Sequence, residues 1–497
     1  MPTRDRRRDW LFPAGLVVFA LLWLAFFPRT FAIVDEDAYL TQALLLRQGR
    51  LTYDDSGIPP PHMTVFTDGR AASKYPPGNS LLILPFTLPG WRLAFLAGLA
   101  LALLGAWLFR RLLEEVEPGA DRAWSLLWLF YPTAVLFSRT LMSDLAAAVF
   151  TLAGFLLVAR RKWFFAGLVL GLGCLVRYSS GILAVAALAL ALLSGRGRLR
   201  STALLALGLV PGAALCLGWN WHAYGGPLQF PMYLTGRFHW AYLGRNLSFY
   251  LPALLALYPL MLLAPLAVRR GRRLLVALPA GALIAAYLFY DYLPGGAPAE
   301  QLLVGLRFLL PAIALLALGY AAALDRVARE LRGLAWLRWP VTALLVAAAT
   351  LVNWRHDQLL KAQAAYQQQL YAAVPEGALL VCNPETSELV TFARGAREWR
   401  HYVEFNVPLP LEREIAARDT VYAALLAKPG RGAKVAETVF WSLVFRRPGG
   451  EPALEVREPW RLLVYRLKPS LGPASDRARR ASPSQTKAVT ISPPHSP

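Results

Sequence analysis

Charged residues and cysteines are both scarce in this sequence. Only 17% of its 497 residues are charged, whereas about a quarter of the residues in an average soluble chain are. The three cysteines, Cys174, Cys216 and Cys382, lie far apart, so the sequence has neither a disulfide framework nor a metal-binding spacing. Phosphate-binding glycine-rich loops and dinucleotide fingerprints are also missing, which leaves intracellular nucleotide chemistry without support.

Acidic residues are the rarer of the two charged classes. There are 31 acidic and 52 basic side chains, and the formal net charge is +21. Such an excess is one signature of nucleic-acid binding, but it also occurs in membrane proteins whose basic residues lie on one side of the bilayer. The basic residues here cluster in short segments between apolar runs, as in "RRK" at 160–162 and "RRGRR" at 269–273. We therefore predict a membrane protein without a nucleic-acid partner.

Apolar residues make up 56% of the chain, and they form runs that approach the length of a membrane span. A spanning helix needs about 20 such residues. The predicted fold class is an all-α polytopic membrane bundle of about eleven transmembrane helices. The runs are 11–28, 91–109, 123–138, 143–159, 163–177, 179–194, 201–219, 248–268, 274–290, 302–322 and 339–353.

The basic segments predict how the chain is inserted. If the N-terminus is cytoplasmic, every second loop is basic, as the positive-inside rule requires. The first apolar run follows a basic stretch, as in a signal peptide, but it is long and no clear cleavage site follows, so we interpret it as a retained helix. The predicted location is the inner (plasma) membrane, with multiple spans and an extracytoplasmic C-terminal region.

The composition changes after residue 353. The predicted domains are a transmembrane domain at 1–353, an extracytoplasmic α/β domain at 354–470, and a disordered tail at 471–497 that is rich in Pro, Ser and Ala. Within the second domain, the stretch 357–371 predicts a helix. Four stretches bounded by Gly, Pro and charged residues predict strands: "ALLVCN", "TVYAALLA", "FWSLVF" and "RLLVYRL".

Polar motifs interrupt the apolar runs on the side that the charge pattern assigns to the cell exterior. They are "DEDAY" at 35–39, "SKYPPG" at 73–78, "SRTLMSD" at 138–144, "RYSSG" at 177–181 and "RFLLP" at 307–311. The first two motifs share a loop of roughly 60 residues, far longer than the usual connection of about 4–6. Long ordered loops commonly carry function, so we predict a functional site at the outer surface.

Each charged residue in these motifs also has a purely structural interpretation. The acids at 35–37 fit a solvated turn, Asp144 fits a carboxylate that complements a helix dipole, and Lys74 fits a snorkelling side chain. Arg177 and Arg307 fit interfacial anchors. On the other side of the argument, ionisable groups at membrane depth are costly and commonly functional. Carboxylates there act as general bases or hold a divalent ion, and lysine and arginine bind phosphate.

Taken together, the motifs resemble those of the GT-C membrane glycosyltransferases. The resemblance covers roughly residues 10–320 and rests mainly on "DEDAY" with "SKYPPG". The nearest subgroup contains the protein O-mannosyltransferases and the lipid A aminoarabinose transferases. The resemblance implies a GT-C-like bundle with a long first extracytoplasmic loop. It also implies an enzyme that moves a sugar from a polyprenyl-phosphate-linked donor to a hydroxyl acceptor on the extracytoplasmic face, with inversion.

The resemblance also implies roles for individual residues. The implied catalytic residues are Asp35, Glu36 and Asp144, and the implied ligands of the donor phosphate are Lys74, Arg307 and Arg177. We further predict that Tyr39, Tyr75, Arg139 and Tyr178, which stand in the same motifs, bind the substrates. Asp37 is a third acid that the family's pairwise pattern does not require.

Partners and alternatives complete the sequence-based prediction. The expected partners are the lipid-linked donor, membrane lipid, and an acceptor that is a glycan, a lipid or a protein. A divalent cation is the one candidate cofactor, because a metal-holding carboxylate and a general base look alike in sequence. A flippase for lipid-linked sugars is the main alternative, although the chain shows no inverted repeat. A non-catalytic scaffold or sensor that presents the C-terminal domain is a third possibility.

Overall fold

The chain is mostly helical, with a small sheet towards its C-terminus. The computed structural model describes residues 10–54, 56, 63–195, 197–231, 237–293, 298–331, 336–375, 377–382, 386, 398–401, 419–427, 452–456 and 461–467. The α-helices in this part are α1 Leu11–Ala25, α2 Val34–Arg47, α3 Gly78–Ile83, α4 Leu96–Val116, α5 Leu126–Leu129, α6 Pro132–Ser138, α7 Ser143–Ala159, α8 Trp163–Val176, α9 Ser180–Leu192, α10 Arg198–Tyr224, α11 Leu243–Leu257, α12 Arg273–Leu288, α13 Pro298–Gly305, α14 Leu310–Glu330 and α15 Arg338–Ala373. The strands are β1 Thr64–Thr67, β2 Arg70–Ser73, β3 Leu379–Cys382, β4 Glu398–His401, β5 Val421–Ala427, β6 Leu454–Val456 and β7 Arg461–Leu467.

Four helical segments of the described chain are long and apolar enough to cross a membrane on their own. They are Trp91–Val116, Arg198–Tyr224, Arg270–Leu288 and Gln301–Glu330. Two bent pairs, Pro132–Ser138 with Ser143–Ala159 and Trp240–Leu257 with Met261–Ala267, raise the number to six if each pair is one span. A helix lies at each predicted position, but eleven full spans are not confirmed. Helices α8 and α9, for example, have 14 and 13 residues, fewer than the about 20 that a span needs.

The long first loop is a folded structure. It begins with α2 and continues through an antiparallel hairpin in which β1 pairs with β2. The hairpin turns at Asp68 and Gly69, both with positive φ, which is the geometry that an Asp-Gly pair favours in a two-residue turn. Val65 and Ala72 of the hairpin pack against Trp219 at the end of α10. This packing fixes the hairpin on the bundle just before the "SKYPPG" segment.

The "SRTLMSD" motif forms a sharp, buried break between α6 and α7. The two helices meet at an angle of 116°, and residues 139–144 are buried throughout. Gly98 of α4 lies against this break, because a Cβ at that position would come within 2.0 Å of the Ser138 carbonyl oxygen. The small residue therefore lets α4 approach the backbone at the end of α6, which positions the N-terminus of α7.

Glycines also allow α8 and α10 to cross at close range. A Cβ on Gly167 would lie 2.1 Å from the Leu205 carbonyl oxygen, and one on Gly208 would lie 2.0 Å from the Phe164 carbonyl oxygen. Close backbone approach through small residues is a common way for membrane helices to associate. The crossing holds the end of α8, and with it Arg177, in a defined place.

Helix α15 joins the bundle to the C-terminal sheet without interruption. Its 36 residues include both the predicted span 339–353 and the predicted helix 357–371, so the predicted domain boundary falls inside one helix. Tyr366 and Leu370 of this helix, and Val374 directly after it, pack onto the sheet, whose strand order is β4-β3-β5-β7-β6. Strand β3 is parallel to β4 and β5, and β7 is antiparallel to β5 and β6.

Three of the four predicted C-terminal strands are confirmed. "ALLVCN", "TVYAALLA" and "RLLVYRL" contain β3, β5 and β7 respectively. The fourth, "FWSLVF", and the tail at 471–497 lie outside the described residues.

Candidate active site

Asp35 lies in the first turn of α2 and faces the "SKYPPG" segment. The side chain of Tyr75 forms a hydrogen bond with Asp35. Burial first, and then the charge of Asp35, raise the pKa of the Tyr75 hydroxyl well above its usual value of 10. The hydroxyl is therefore a donor, and it orients the carboxylate. The predicted general base and a predicted substrate-binding residue thus lie side by side.

Glu36 is fully occupied by backbone N–H groups. Its Oε1 accepts hydrogen bonds from the amides of Ala32 and Ile33, at 2.8 and 3.0 Å, and its Oε2 accepts one from the amide of Leu141, at 2.9 Å. Burial raises its pKa to about 7, although the three N–H groups oppose the shift. Because these amides occupy both oxygens, Glu36 connects the start of α2 to the α6–α7 break. These contacts place it to position Asp35 and Asp144, and its predicted catalytic role stays a prediction.

The "SKYPPG" segment is held from α2. The ring of Tyr75 stacks on Tyr39, with centroids 4.5 Å apart and planes 21° from parallel, and the Lys74 ammonium lies 5.3 Å from the Tyr75 ring centre. Gln42 of α2 donates to the Tyr75 carbonyl oxygen at 3.1 Å and accepts from Ser80 at 2.7 Å. Tyr39, Tyr75 and Lys74 therefore form one stack, and the contacts with α2 fix its position.

The same segment is also held by contacts with α10 and with the end of α8. The Tyr224 hydroxyl, at the end of α10, lies 3.2 Å from the Ser73 carbonyl oxygen and 2.8 Å from that of Lys74. A Cβ on Gly78 would lie 2.6 Å from the carbonyl carbon and oxygen of Leu175, so only glycine allows the segment to rest on the end of α8. The close approach brings Lys74 and Arg177 to the same end of the bundle.

Asp144 is fully buried and paired with Arg177. Its Oδ1 lies 2.9 Å from the Arg177 Nη1, and the side chain has no exposed surface. Both Arg177, at 3.1 Å, and the Tyr39 hydroxyl, at 2.9 Å, donate to Ser143 Oγ. The carboxylate at the N-terminus of α7 is thereby linked through Arg177 and Ser143 to Tyr39, which stacks under the Lys74 segment.

Arg307 belongs to the same cluster as Asp35, Asp144 and Lys74. Its side chain is 7% exposed, and its Nε has no hydrogen-bond partner among the residues that the structure describes. The guanidinium lies 4.9 Å from the ring centre of Tyr292 and 4.6 Å from that of Phe308. It interacts electrostatically with both Asp35 and Asp144. A buried guanidinium with donors to spare is a suitable anion ligand.

The cations of this cluster affect one another. Burial lowers the pKa of Lys74 to about 8; the charge of Asp35 opposes the shift, while those of Arg237 and Arg307 add to it. Arg237, which the sequence motifs did not single out, is thus close enough to Lys74 to act on it. An anion that entered the cluster would relieve this repulsion.

Two predicted site residues, Arg139 and Tyr178, make contacts that support the fold around the cluster. Arg139 is 1% exposed and donates to the backbone carbonyls of Phe26 and Asn353, so it ties α1 and α15 to the α6–α7 break. Tyr178 donates to Asn220 at 2.6 Å and interacts with Tyr224, whose hydroxyl contacts the Lys74 carbonyl oxygen. For both residues these contacts indicate a supporting role; we retain substrate binding by them only as a prediction.

Several supporting residues escaped the motif analysis. Ser143 lies inside "SRTLMSD" without a predicted role, and Gln42, Tyr224 and Tyr292 have common residue types outside the five motifs. Only the hairpin had a sequence signal, its Asp-Gly pair. The contacts of Ser143, Gln42 and Tyr224 join segments more than 30 positions apart in the chain, which the sequence alone does not reveal.

The described carboxylates do not form a cation site. No group of three or more His, Cys, Asp or Glu side chains lies close enough together in the described part of the chain to hold a metal. Asp144 is paired with Arg177, Glu36 accepts three amides, and Asp35 faces Lys74. Asp35 and Asp144 thus face protein cations and Glu36 is hydrogen-bonded to amides, and the divalent cation stays a prediction.

Comparison with known proteins gives a match at the level of fold. No protein-family model and no curated protein matches the chain. Among solved structures, ArnT from Cupriavidus metallidurans in the apo state is similar, with a TM-score of 0.60, 14% identity, and coverage of 93% of this chain and 98% of that one. The chain has the GT-C fold. The GT-C-like bundle that the motif resemblance implied is therefore confirmed, whereas eleven spans and the predicted loop layout are not.

Two further solved structures are similar to the chain to different degrees. ArnT bound to undecaprenyl phosphate superimposes with a TM-score of 0.58 and 15% identity, over 91% of this chain and 97% of that one. The apo oligosaccharyltransferase of Archaeoglobus fulgidus gives a TM-score of 0.47 at 14% identity, over 89% and 70%.

Proposed function

We propose that this protein is a membrane glycosyltransferase that moves a sugar from a polyprenyl-phosphate-linked donor to a hydroxyl group. The reaction takes place at the extracytoplasmic face of the plasma membrane, and the acceptor is a glycan, a lipid or a protein. The observation that supports the proposal most directly is the cluster itself. Two carboxylates, Asp35 and Asp144, and three cations, Lys74, Arg177 and Arg307, come together from distant parts of the chain.

Asp35 acts as the general base. Asp144 is buried against Arg177 at 2.9 Å and Glu36 is occupied by three amides, which leaves Asp35 as the partly exposed carboxylate of the cluster. It accepts the proton of the acceptor hydroxyl as that oxygen attacks the anomeric carbon. The new bond is acceptor oxygen to anomeric carbon. Tyr75 orients the carboxylate through its hydrogen bond.

The cations stabilise the leaving group. As the bond between the anomeric carbon and the phosphate oxygen breaks, the electron pair stays with the lipid phosphate, whose negative charge grows. Lys74 and Arg307 lie where they would bind this charge, and fixed donors aimed at developing charge are a large source of rate enhancement. Arg177 contributes a further positive charge while it holds Asp144. A single displacement of this kind inverts the anomeric configuration.

The donor class has independent support from the comparison. The GT-C fold shared with ArnT extends over 97% of the ArnT chain that was crystallised with undecaprenyl phosphate. A polyprenyl phosphate is therefore the lipid that we propose as carrier, and the apolar bundle is a suitable environment for its tail.

The decisive experiment is a transfer assay in membranes that contain either wild-type protein or Asp35→Asn. A panel of radiolabelled polyprenyl-phosphate hexoses and pentoses is supplied, and label is followed into lipid, polysaccharide and protein fractions. We expect label in one fraction with wild type and a loss of at least about 100-fold with Asp35→Asn, as is common when a general base is removed. Equal expression is confirmed for both proteins.

Two outcomes would contradict the proposal. Full activity in Asp35→Asn would remove Asp35 from the chemistry. Movement of labelled lipid across the bilayer without a new glycosidic bond, from every donor tested, would support the flippase alternative instead.

A further inference from the structure

Phe308 is the contact point of two positively charged side chains. The Arg177 guanidinium lies 4.8 Å from the centre of its ring, and the Arg307 guanidinium lies 4.6 Å from the same centre. Both distances are within the range of a cation–π interaction, about 6 Å. One aromatic ring is therefore in contact with two groups of the same charge that come from distant segments of the chain.

Three tyrosines surround this ring and leave it little room. Tyr287 stacks on it with centroids 5.2 Å apart and planes 1° from parallel, while Tyr290 and Tyr292 meet it at 5.8 and 4.8 Å in steep orientations. Phe308 itself is 8% exposed. The packing fixes the plane of the ring, and a fixed ring can in turn fix the planes of the guanidiniums beside it.

The mode of contact matters for what the arginines can bind. Two like charges repel, and each lowers the pKa of groups near it. Asp144 already offsets part of this repulsion, since it pairs with Arg177 at 2.9 Å and interacts with Arg307, but a carboxylate does so by occupying N–H donors. A ring attracts a guanidinium through its face and leaves the donors in the guanidinium plane unused. The unpartnered Nε of Arg307 agrees with this.

We propose that Phe308 is a positioning residue that holds Arg177 and Arg307 at a fixed separation for an incoming dianion. Its ring supplies an attraction that is electrostatic in origin and uses no hydrogen-bond donor. The inference rests on the proposed function, since the dianion is the lipid phosphate released by glycosyl transfer. It adds a role for an apolar residue that contributes no polar atom to the site.

Fluorination of the ring separates this role from simple packing. Fluorine atoms withdraw charge from the face of the ring and weaken a cation–π contact, while they change the volume little. Phe308 is replaced in the full-length protein by mono-, di- and trifluorophenylalanine, and binding of undecaprenyl phosphate is measured in detergent micelles. We expect Kd to rise stepwise with each fluorine and to reach about threefold to tenfold above wild type.

Substitutions with natural residues give a second test. Phe308→Trp keeps a π-face and should stay within about twofold of wild type, because tryptophan is the strongest cation–π partner, provided that its melting temperature is unchanged. Phe308→Leu keeps an apolar side chain without a π-face, and we expect its Kd to match that of the trifluoro variant. Trifluorophenylalanine at Phe155, which is fully buried in α7, is the matched control and should leave Kd unchanged.

The outcomes separate this inference from the proposed function. If wild type binds no polyprenyl phosphate, the proposed function fails. If wild type binds but the fluorinated series shows one constant Kd, or Phe308→Leu binds as well as wild type, the ring acts by packing alone and the inference on Phe308 is wrong.

Discussion

At the scale of single residues, three neighbouring acids have three different fates. Successive side chains on a helix point about 100° apart, so Asp35, Glu36 and Asp37 face different surroundings. Asp35 faces Tyr75, and Glu36 accepts three amides. Asp37 points into the interior, where burial raises its pKa to about 8. The motif identified the place, and the helix geometry determined which carboxylate is available for chemistry.

Lys74 should make donor binding depend on pH. Its pKa of about 8 means that it is charged below pH 8 and loses its charge as the pH rises through that value. Affinity for undecaprenyl phosphate should therefore be constant near pH 6.5 and weaken by about tenfold towards pH 9.5, as expected when one cation of a phosphate site is lost. Binding in micelles across this range measures the effect.

Lys74→Arg is the control for this pH dependence. The guanidinium stays charged at every pH tested, so the variant should bind with an affinity that changes little between pH 6.5 and 9.5. A curve for Lys74→Arg that falls in parallel with that of wild type would show that another group titrates and that Lys74 is not responsible.

At the scale of elements, the "SKYPPG" segment is held in place by contacts with α2, α8 and α10. Gln42 holds it from α2, Tyr224 holds it from α10, and Gly78 lies on the end of α8. Pro76 and Pro77 restrict the backbone between these attachments. Contacts at both ends thus fix the conformation of the segment. A fixed backbone in turn holds the Lys74 ammonium at a defined position.

Gly78→Ala should displace the "SKYPPG" segment. The new Cβ would lie 2.6 Å from backbone atoms of Leu175, which cannot move aside as the tip of a side chain can. Overpacking of this kind costs about 1–3 kcal/mol, so the melting temperature in detergent should fall and KM for the donor should rise. Gly281→Ala in α12 is the control, since a Cβ there meets nothing within 4 Å; a drop of equal size in both variants would contradict the argument.

At the scale of the whole molecule, α15 connects the C-terminal sheet to the neighbourhood of the site. Arg139 donates to the carbonyls of Phe26 and Asn353, and Gln363 lies 3.4 Å from the Ala32 carbonyl oxygen. These contacts reach the segment that leads into Asp35. One continuous helix therefore links the sheet, the end of α1 and the α6–α7 break.

The charge pattern predicts that the site faces the outside of the cell, and labelling can test this. Arg70 is exposed on β2, four residues before Lys74, and Lys162 is exposed between α7 and α8. In a background without Cys174, Cys216 and Cys382, Arg70→Cys should react with a membrane-impermeant maleimide in intact cells. Lys162→Cys should react only after the membrane is opened. The reverse pattern would place the site in the cytoplasm and contradict the proposed sidedness.

The sequence alone predicted the fold and the residues of the candidate site. Hydropathy is a local property, so the apolar runs predicted a helix at each of eleven positions. "DEDAY", "SKYPPG" and "RFLLP" likewise named residues that the structure brings together. Local patterns do not report packing, however, and this is why the number of full spans and the end of the predicted 339–353 helix differ from the structure.

What only the tertiary structure decided is how these residues divide the work. Glu36 connects α2 to the α6–α7 break because the amide of Leu141, more than 100 positions away, lies 2.9 Å from its carboxylate. Arg139 turns towards α15, and Phe308 gains a role from two arginines that approach it from different helices. The physical reason is that desolvation, hydrogen-bond saturation and close packing depend on which distant groups meet. The amino-acid sequence alone predicted a site of acids and cations, and the fold determined which of them are already occupied by other groups of the protein.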